Sequence, residues 1–388
     1  MRVPLLDLEP EYREVEAEVL EAVRDVVGSR RFILGPRVEE LEERIAQYCG
    51  CSYAVAVSSG TDALLLSLMA LGVGPGDFVV TTPFTFFATA GAIARTGARP
   101  LFVDIEAESY NMDPQALKRL VHDMDGERKT RIKAVVPVHL YGRCADMDAI
   151  AEVTESLDIG LVEDAAQAIG AEYRGSQGRT RRAGALGNLG CFSFYPTKNL
   201  GGAGEGGMVT TDDHELYERL RILRNHGDVS RYHHEYIGGN FRMDAFQGAV
   251  LLVKMKYLER WIRKRRAHAA LYERLIADRG VARVRTPDHG PGRHVYHQFV
   301  VDAGEARDAL RAYLSEGGVG TEIYYPIPLH LQPCFSYLGY GPKDFPVAER
   351  AAKSTLAVPM YPGLVHDQIS YVVDLMAKFF EERHHEKK

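Results

Sequence analysis

Apolar residues recur at three-to-four spacing across 11–27 and again across 38–49, interleaved with acidic ones, which predicts two amphipathic helices. Phe32-Ile33-Leu34-Gly35-Pro36 breaks them apart. From Tyr53 the rhythm changes to short apolar runs: Tyr53–Val57, Phe78–Thr81, Pro100–Val103, Ile132–Val138 and Gly160–Val162. Helical segments near 61–72, 86–96, 114–123 and 146–156 separate them. Continuous Val/Ile/Leu runs alternating with helices predict strands buried on both faces of a mostly parallel sheet. In such a sheet ligands gather where the carboxyl ends of the strands turn into helices. A long helical stretch at 242–276 carries the lone Trp261 and the basic run Arg260 to Arg266, and reads as a connector. Beyond it, Val295–Val301, a helix at 304–316, Val319–Tyr324 and a final helix from 366 suggest a smaller α+β domain. The expected division is a large domain over 1–245 and a connector helix with a small C-terminal domain over 246–388.

Composition narrows the class without changing this outline. At 388 residues, 46% hydrophobic and 26% charged, the chain is of ordinary globular type. Its net charge of -6 argues against non-specific nucleic-acid binding. The N-terminus has no apolar run of signal-peptide length, and no stretch reaches membrane-span length. Five sparse cysteines fit free thiols, so a cytoplasmic location is expected. The run Tyr232-His233-His234-Glu235 lacks zinc spacing, and no metal site is expected.

Three segments carry the candidate chemistry. Ser58-Ser59-Gly60-Thr61-Asp62-Ala63 follows the first strand and opens a helix. Small residues at a helix N-terminus can receive a phosphate, although a plain N-cap explains the same residues. Asp164, in Val162-Glu163-Asp164-Ala165-Ala166-Gln167, ends an apolar strand, where a carboxylate needs a partner. A protonated pyridine nitrogen would serve, and so would the cap of the next helix. Lys198 lies in Phe192-Ser193-Phe194-Tyr195-Pro196-Thr197-Lys198-Asn199-Leu200-Gly201-Gly202, between an aromatic strand and a glycine-rich turn. An apolar setting lowers an amine's pKa, as a Schiff-base nucleophile requires. His139, at a strand end, reads as a packed core histidine ahead of a cofactor contact.

The chain resembles the DegT/DnrJ/EryC1/StrS aminotransferases, fold-type-I enzymes that use pyridoxal 5′-phosphate. The resemblance rests on SSGTDAL, TTPFTFFATA, VHLYGR, EDAAQAIGA, FYPTKNLG, GGNFRMDAFQGA and YYPIPLHLQP, in that order. It implies an α/β fold with a mostly parallel central sheet and a smaller C-terminal α+β domain. It implies that Lys198 forms the Schiff base and moves protons, and that Asp164 holds the pyridine nitrogen protonated. Gln167 would bond the phenolic oxygen, Phe86 stack on the ring, and Gly60, Thr61 and Ser193 hold the phosphate. Asn240 resembles an asparagine that reaches this phosphate from a second subunit, which would make a homodimer with shared active sites. Tyr324, Tyr325 and His330 fall in a segment that in relatives faces the nucleotide diphosphate, although many relatives have histidine in place of Tyr324, so the histidine's role there does not transfer; Phe32 and Arg242 are further candidates for substrate contact. Arg242 reads equally as a structural ion-pair member.

The implied reaction is ping-pong transfer of an amino group from glutamate to a nucleotide-linked keto-sugar, UDP- or dTDP-linked and 3-keto by analogy. A 4-keto sugar or a cyclitol ketone is the alternative acceptor. A sugar dehydratase would replace Lys198 with histidine, and a non-catalytic regulator would have no need of Lys198, Asp164, Gln167 and Ser193 together.

Overall fold

Residues of the strand Tyr53–Val57 (β1) alternate between two cores. Ala54 and Ala56 pack on one face with Leu41 and Ile45, whereas Val55 and Val57 pack on the other with Leu64 and Leu66. Helices therefore cover both faces, as the unbroken apolar runs require. The computed structural model describes residues 1–386. Helix α1 (Glu9–Ser29) and helix α2 (Pro36–Cys49) precede the sheet, and α3 (Gly60–Ala70) follows β1 directly.

The other strands of the sheet are β2 (Phe78–Thr81), β3 (Arg99–Phe102), β4 (Ile132–Val135), β5 (Gly160–Asp164), β6 (Leu189–Ser193) and β7 (Gly207–Thr211). In space they run β1-β7-β6-β5-β4-β2-β3. Only β7 runs against its neighbours, pairing antiparallel with both β1 and β6. The carboxyl ends of β1, β2, β5 and β6 consequently share one edge, and β7 enters the sheet at that edge through Gly207.

Helix α4 (Ala245–Asp278) starts with Asp244 capping Gln247 N and runs 34 residues, roughly 51 Å at 1.5 Å per residue. Leu251, Leu258 and Ile262 join the core beneath the sheet. Ala269, Tyr272 and Ile276 join a separate core formed with Phe299, Leu310, Leu356 and Val372. This second core contains a two-stranded antiparallel ribbon, Phe299–Asp302 against Thr355–Val358. The strand expected at Val319–Tyr324 is absent, because its backbone is shared between bridges to Val3 and to Ala357. No helix among the described residues is long and apolar enough to cross a membrane.

One buried carboxylate fixes the turn behind the sheet edge. Glu163 has no solvent exposure. Its Oε1 accepts from the N–H groups of Leu186 (2.7 Å) and Gly187 (2.8 Å), and its Oε2 from Gly184 N–H (2.7 Å). His139 completes the set at 2.9 Å through Nε2. Its Nδ1 accepts from Ala145 N–H, so Nε2 carries the proton. A Glu163→Gln substitution would point an NH2 group at one of these donors. Urea unfolding is expected to show a loss of about 2–4 kcal/mol, and a loss below about 0.5 kcal/mol would contradict this account.

Candidate active site

The turn after β6 brings Lys198 back over the sheet edge. Lys198 N–H donates to Tyr195 O (2.8 Å) and Gly202 N–H to Phe194 O (2.7 Å). The fold-back is tight enough that a Cβ on Gly201 would lie 2.3 Å from Pro196 O. Outside groups brace it: Tyr12 O–H donates to Gly202 O (2.9 Å), and Ala203 N–H donates to Gln247 Oε1 (2.9 Å). Asn199, next to the lysine, bonds Val295 O through Nδ2 (3.2 Å) and meets His297 Nδ1 at 3.3 Å.

Lys198 is half-buried, and removal from water pulls its amine down to about 8, with the charge of Asp164 opposing that shift. Asp164 is buried at the end of β5. Thr89 O–H donates to its Oδ2 at 2.7 Å and Ala166 N–H to its Oδ1 at 3.2 Å. Burial raises the Asp164 pKa, and these two bonds and Lys198 work against the rise. Lys198 and Asp164 thus lie near enough at this sheet edge for each to feel the other's charge.

Gln167 is oriented from two sides. Its Oε1 accepts from Tyr141 N–H (2.7 Å), and its Nε2 donates to Tyr325 O–H at 3.2 Å. Tyr141 O–H in turn donates to Tyr324 O. The Tyr324-Tyr325 segment is therefore tied to the sheet edge by two bonds, and the Tyr325 ring stands 6.2 Å from Phe86. Phe86 itself is 58% exposed, leaving a ring face open.

Gly60 and Ser193 meet on the far side of this edge. A Cβ at Gly60 would come within 2.6 Å of Ser193 Cβ, so only glycine lets the start of α3 approach β6 this closely. Ser59 caps α3 by accepting from Asp62 N–H (3.1 Å), leaving Thr61 in the first turn beside Gly60. The Ser59 N-cap therefore leaves the close approach of Gly60 to Ser193 undisturbed.

The remaining expected residues lie around this edge or away from it. Phe241 O accepts from Ser58 N–H (2.9 Å), which anchors the segment holding Asn240 and Arg242 beside the cradle. Asn240 is exposed, and its Oδ1 accepts from Arg242 Nε (2.9 Å). Arg242 Nη1 donates to Asn225 Oδ1 (2.9 Å), so the partners of Arg242 among the described residues are amides. Phe32 stacks on Phe246 with centroids 5.8 Å apart and remains exposed. The His330 side chain is buried, meets Glu349 Oε1 through Nε2 (3.2 Å) and stands edge-on to Phe345, while its Nδ1 has no partner among the described residues.

Sequence reasoning missed Thr89, Tyr141 and His297. Thr89 had a usable signal: it is a hydroxyl residue in the first turn of the helix Ala88–Arg95, just after a strand end, and its hydroxyl meets that of Thr85 at 3.0 Å. His297 had none, since its partner Asn199 is 98 positions away.

Residues 13–377 match the DegT/DnrJ/EryC1/StrS aminotransferase family. The chain belongs to that family. Among similar family relatives, a dTDP-3-amino-3,4,6-trideoxy-α-D-glucose transaminase of Streptomyces venezuelae is 42% identical over 384 residues, covering 98% of this chain and 97% of the relative. A protein of Geobacillus stearothermophilus called a pleiotropic regulatory protein is 46% identical over 381 residues, covering 98% and 99%. The crystal structure of S. venezuelae DesV with a ketimine intermediate superposes with a TM-score of 0.91 at 41% identity, covering 98% of this chain and 99% of DesV. The aminotransferase family fold is thus present over almost the whole chain, and the protein is an aminotransferase.

Proposed function

We propose that this aminotransferase uses pyridoxal 5′-phosphate to move an amino group from glutamate to a nucleotide-linked 3-keto sugar. The observation that carries the reading is the half-buried Lys198, with its amine drawn down to about 8, opposite buried Asp164 on an edge that also holds the Gly60–Ser193 cradle. The cofactor fits this donor set. Gly60, Thr61 and Ser193 would hold its phosphate, Asp164 its ring nitrogen, Gln167 its phenolic oxygen, and Phe86 would cover its ring. When bound, the cofactor supplies an electron sink for a carbanion next to nitrogen.

The residues divide the remaining work. Thr89 fixes the Asp164 carboxylate, which would keep a positive charge on the ring nitrogen of a bound cofactor. Lys198, neutral above about pH 8, takes the proton from the donor's α-carbon and, in the second half-reaction, delivers one to the sugar carbon. Tyr141 holds Gln167 in the amide orientation that aims its Nε2 into the site. Tyr324 and Tyr325, on the segment tied to this edge, are proposed to meet the sugar, with Arg242 and Phe32 supplied around the opening. Exposed Phe32, Ile33 and Ile237, the last 93% exposed, support a homodimer in which Asn240 and Arg242 serve the neighbouring site. Five unpaired cysteines are in keeping with a cytoplasmic location.

The Streptomyces venezuelae relative's name, a 3-amino-sugar transaminase, favours C-3. Cofactor-loaded protein given glutamate and UDP- or dTDP-linked sugars is expected to aminate 3-keto forms, read by mass spectrometry. Faster amination of 4-keto forms would contradict the assignment of position.

The amine of Lys198 also sets a pH dependence. Capture of the cofactor aldehyde by the apoprotein is expected to rise about tenfold per pH unit up to about 8 and then level off. An ordinary lysine would keep rising to about 10.4. The linked stability has the same sign. Between about 8 and 10.4 the unfolded chain holds the proton that the folded one has lost, so this group's penalty is full below 8 and eases as pH rises. Stopped-flow absorbance checks the rate profile, and a rise continuing to pH 10 would show that Lys198 is not depressed.

A further inference from the structure

A second cationic site lies on the opposite edge of the sheet. Phe78 opens β2, Arg99 opens β3, and Arg131 stands directly before β4. These amino ends, with Arg128 from the short helix Gly126–Lys129, line a recess of about 510 Å³. It is separated from the strand ends that carry the active site by the length of β2, on the order of 10 Å.

Three guanidiniums meet in this recess and none forms an ion pair with a carboxylate among the described residues. Asp77 is the only acidic side chain lining it, and its Oδ2 is taken by Gly74 N–H at 2.9 Å. Aromatic faces set the arginines in place. Arg131 lies 4.7 Å and Arg128 5.7 Å from the Phe78 ring centroid, and Arg99 lies 6.0 Å from that of Tyr337. Stacking occupies the planes and leaves N–H edges to donate. Arg131 gives Nε to Gly76 O (2.6 Å), and Arg99 gives Nη2 to Leu338 O (2.7 Å) and Tyr337 O (3.3 Å). The Arg128 guanidinium has no hydrogen-bond partner among the described residues.

All three arginines are exposed, so water and salt screen their mutual repulsion, and a multivalent anion seated among them would replace that screening with direct hydrogen bonds. We propose that this recess binds a small phosphoryl anion carrying two or more negative charges, either inorganic diphosphate or the diphosphate of a nucleotide. Planar forks suit phosphoryl oxygens bidentately, and the volume suits a small molecule more than a polymer.

Calorimetric titration of the cofactor-loaded protein with pyrophosphate at low salt tests this. The Arg99→Gln/Arg128→Gln/Arg131→Gln protein is expected to bind at least about tenfold more weakly, with catalysis unchanged in the absence of pyrophosphate. Arg128→Gln alone disturbs no hydrogen bond within the protein and is expected to weaken binding about threefold. Arg242→Gln, which alters the active-site opening, is expected to leave recess binding intact. UDP titrated into the Arg242→Gln protein separates the two sources: binding that the triple substitution removes assigns a nucleotide, and its absence assigns inorganic diphosphate. The proposal is overturned if wild-type protein binds no pyrophosphate, if the triple variant binds like wild type, or if binding is lost only with Arg242→Gln.

Discussion

Lys198→Ala is expected to lower turnover by at least about 10⁴-fold, because one amine is proposed both to attach the cofactor and to move the proton. Fold should survive the change. The side chain is only half-buried, and the turn that carries it is held by backbone bonds of Lys198, Gly202 and Ala203 and by Tyr12 and Gln247, none of which uses the amine. Removing a desolvated cation also relieves the burial that pulls its pKa down. Steady-state kinetics, paired with a thermal melt and with cofactor retention after dialysis, separate the two roles. The account expects an unchanged melt, lost retention and lost turnover. Turnover within tenfold of wild type would remove Lys198 from the chemistry.

Asp164→Asn should rank next, with a drop of about 10²–10⁴-fold in kcat and weaker cofactor binding. Asparagine matches the shape of aspartate, so β5 and its neighbours keep their packing. What it removes is the negative charge that would keep a ring nitrogen protonated. The Thr89 hydroxyl can turn to meet either amide atom, whereas Ala166 N–H cannot, so asparagine is expected to present Oδ1 to Ala166. A kcat unchanged by this substitution would reassign Asp164 as a structural carboxylate that holds the turn after β5 through Ala166 N–H; no helix among the described residues follows it there to be capped.

Much of this arrangement is legible in the chain because it is local. The strands β1 and β2 coincide with apolar runs, and Ser58 to Thr61, Asp164 and Lys198 each stand just after such a strand or its turn, where a parallel sheet collects its chemistry. The helix Glu9–Ser29 extends only two residues beyond each side of the periodic stretch 11–27. Other features depend on contacts far apart in sequence, and periodicity carries no trace of them. The burial of His330 against Phe345 and Glu349, from the start of the helix Pro346–Ser354, has no trace in the segment that carries it. Val319–Tyr324 has the composition of a strand but divides its backbone between Val3 and Ala357. The bond from Gln167 to Tyr325 spans 158 positions and draws a cofactor-side residue and a substrate-side residue together. The recess of Arg99, Arg128 and Arg131 is invisible in a chain of net charge -6, since only folding gathers those residues at one sheet edge.

A similar protein carries the name of a regulator, so the decisive question is whether the Lys198 site turns over. The most direct measurement is the visible absorbance of the purified, cofactor-loaded protein before and after glutamate is added, with Lys198→Ala alongside. The account predicts a visible band in the wild-type protein that bleaches with glutamate and returns with a keto-sugar, and no such band in the variant. A wild-type protein that stays colourless with added pyridoxal 5′-phosphate, or a band that glutamate and other amino donors leave unchanged, would contradict it.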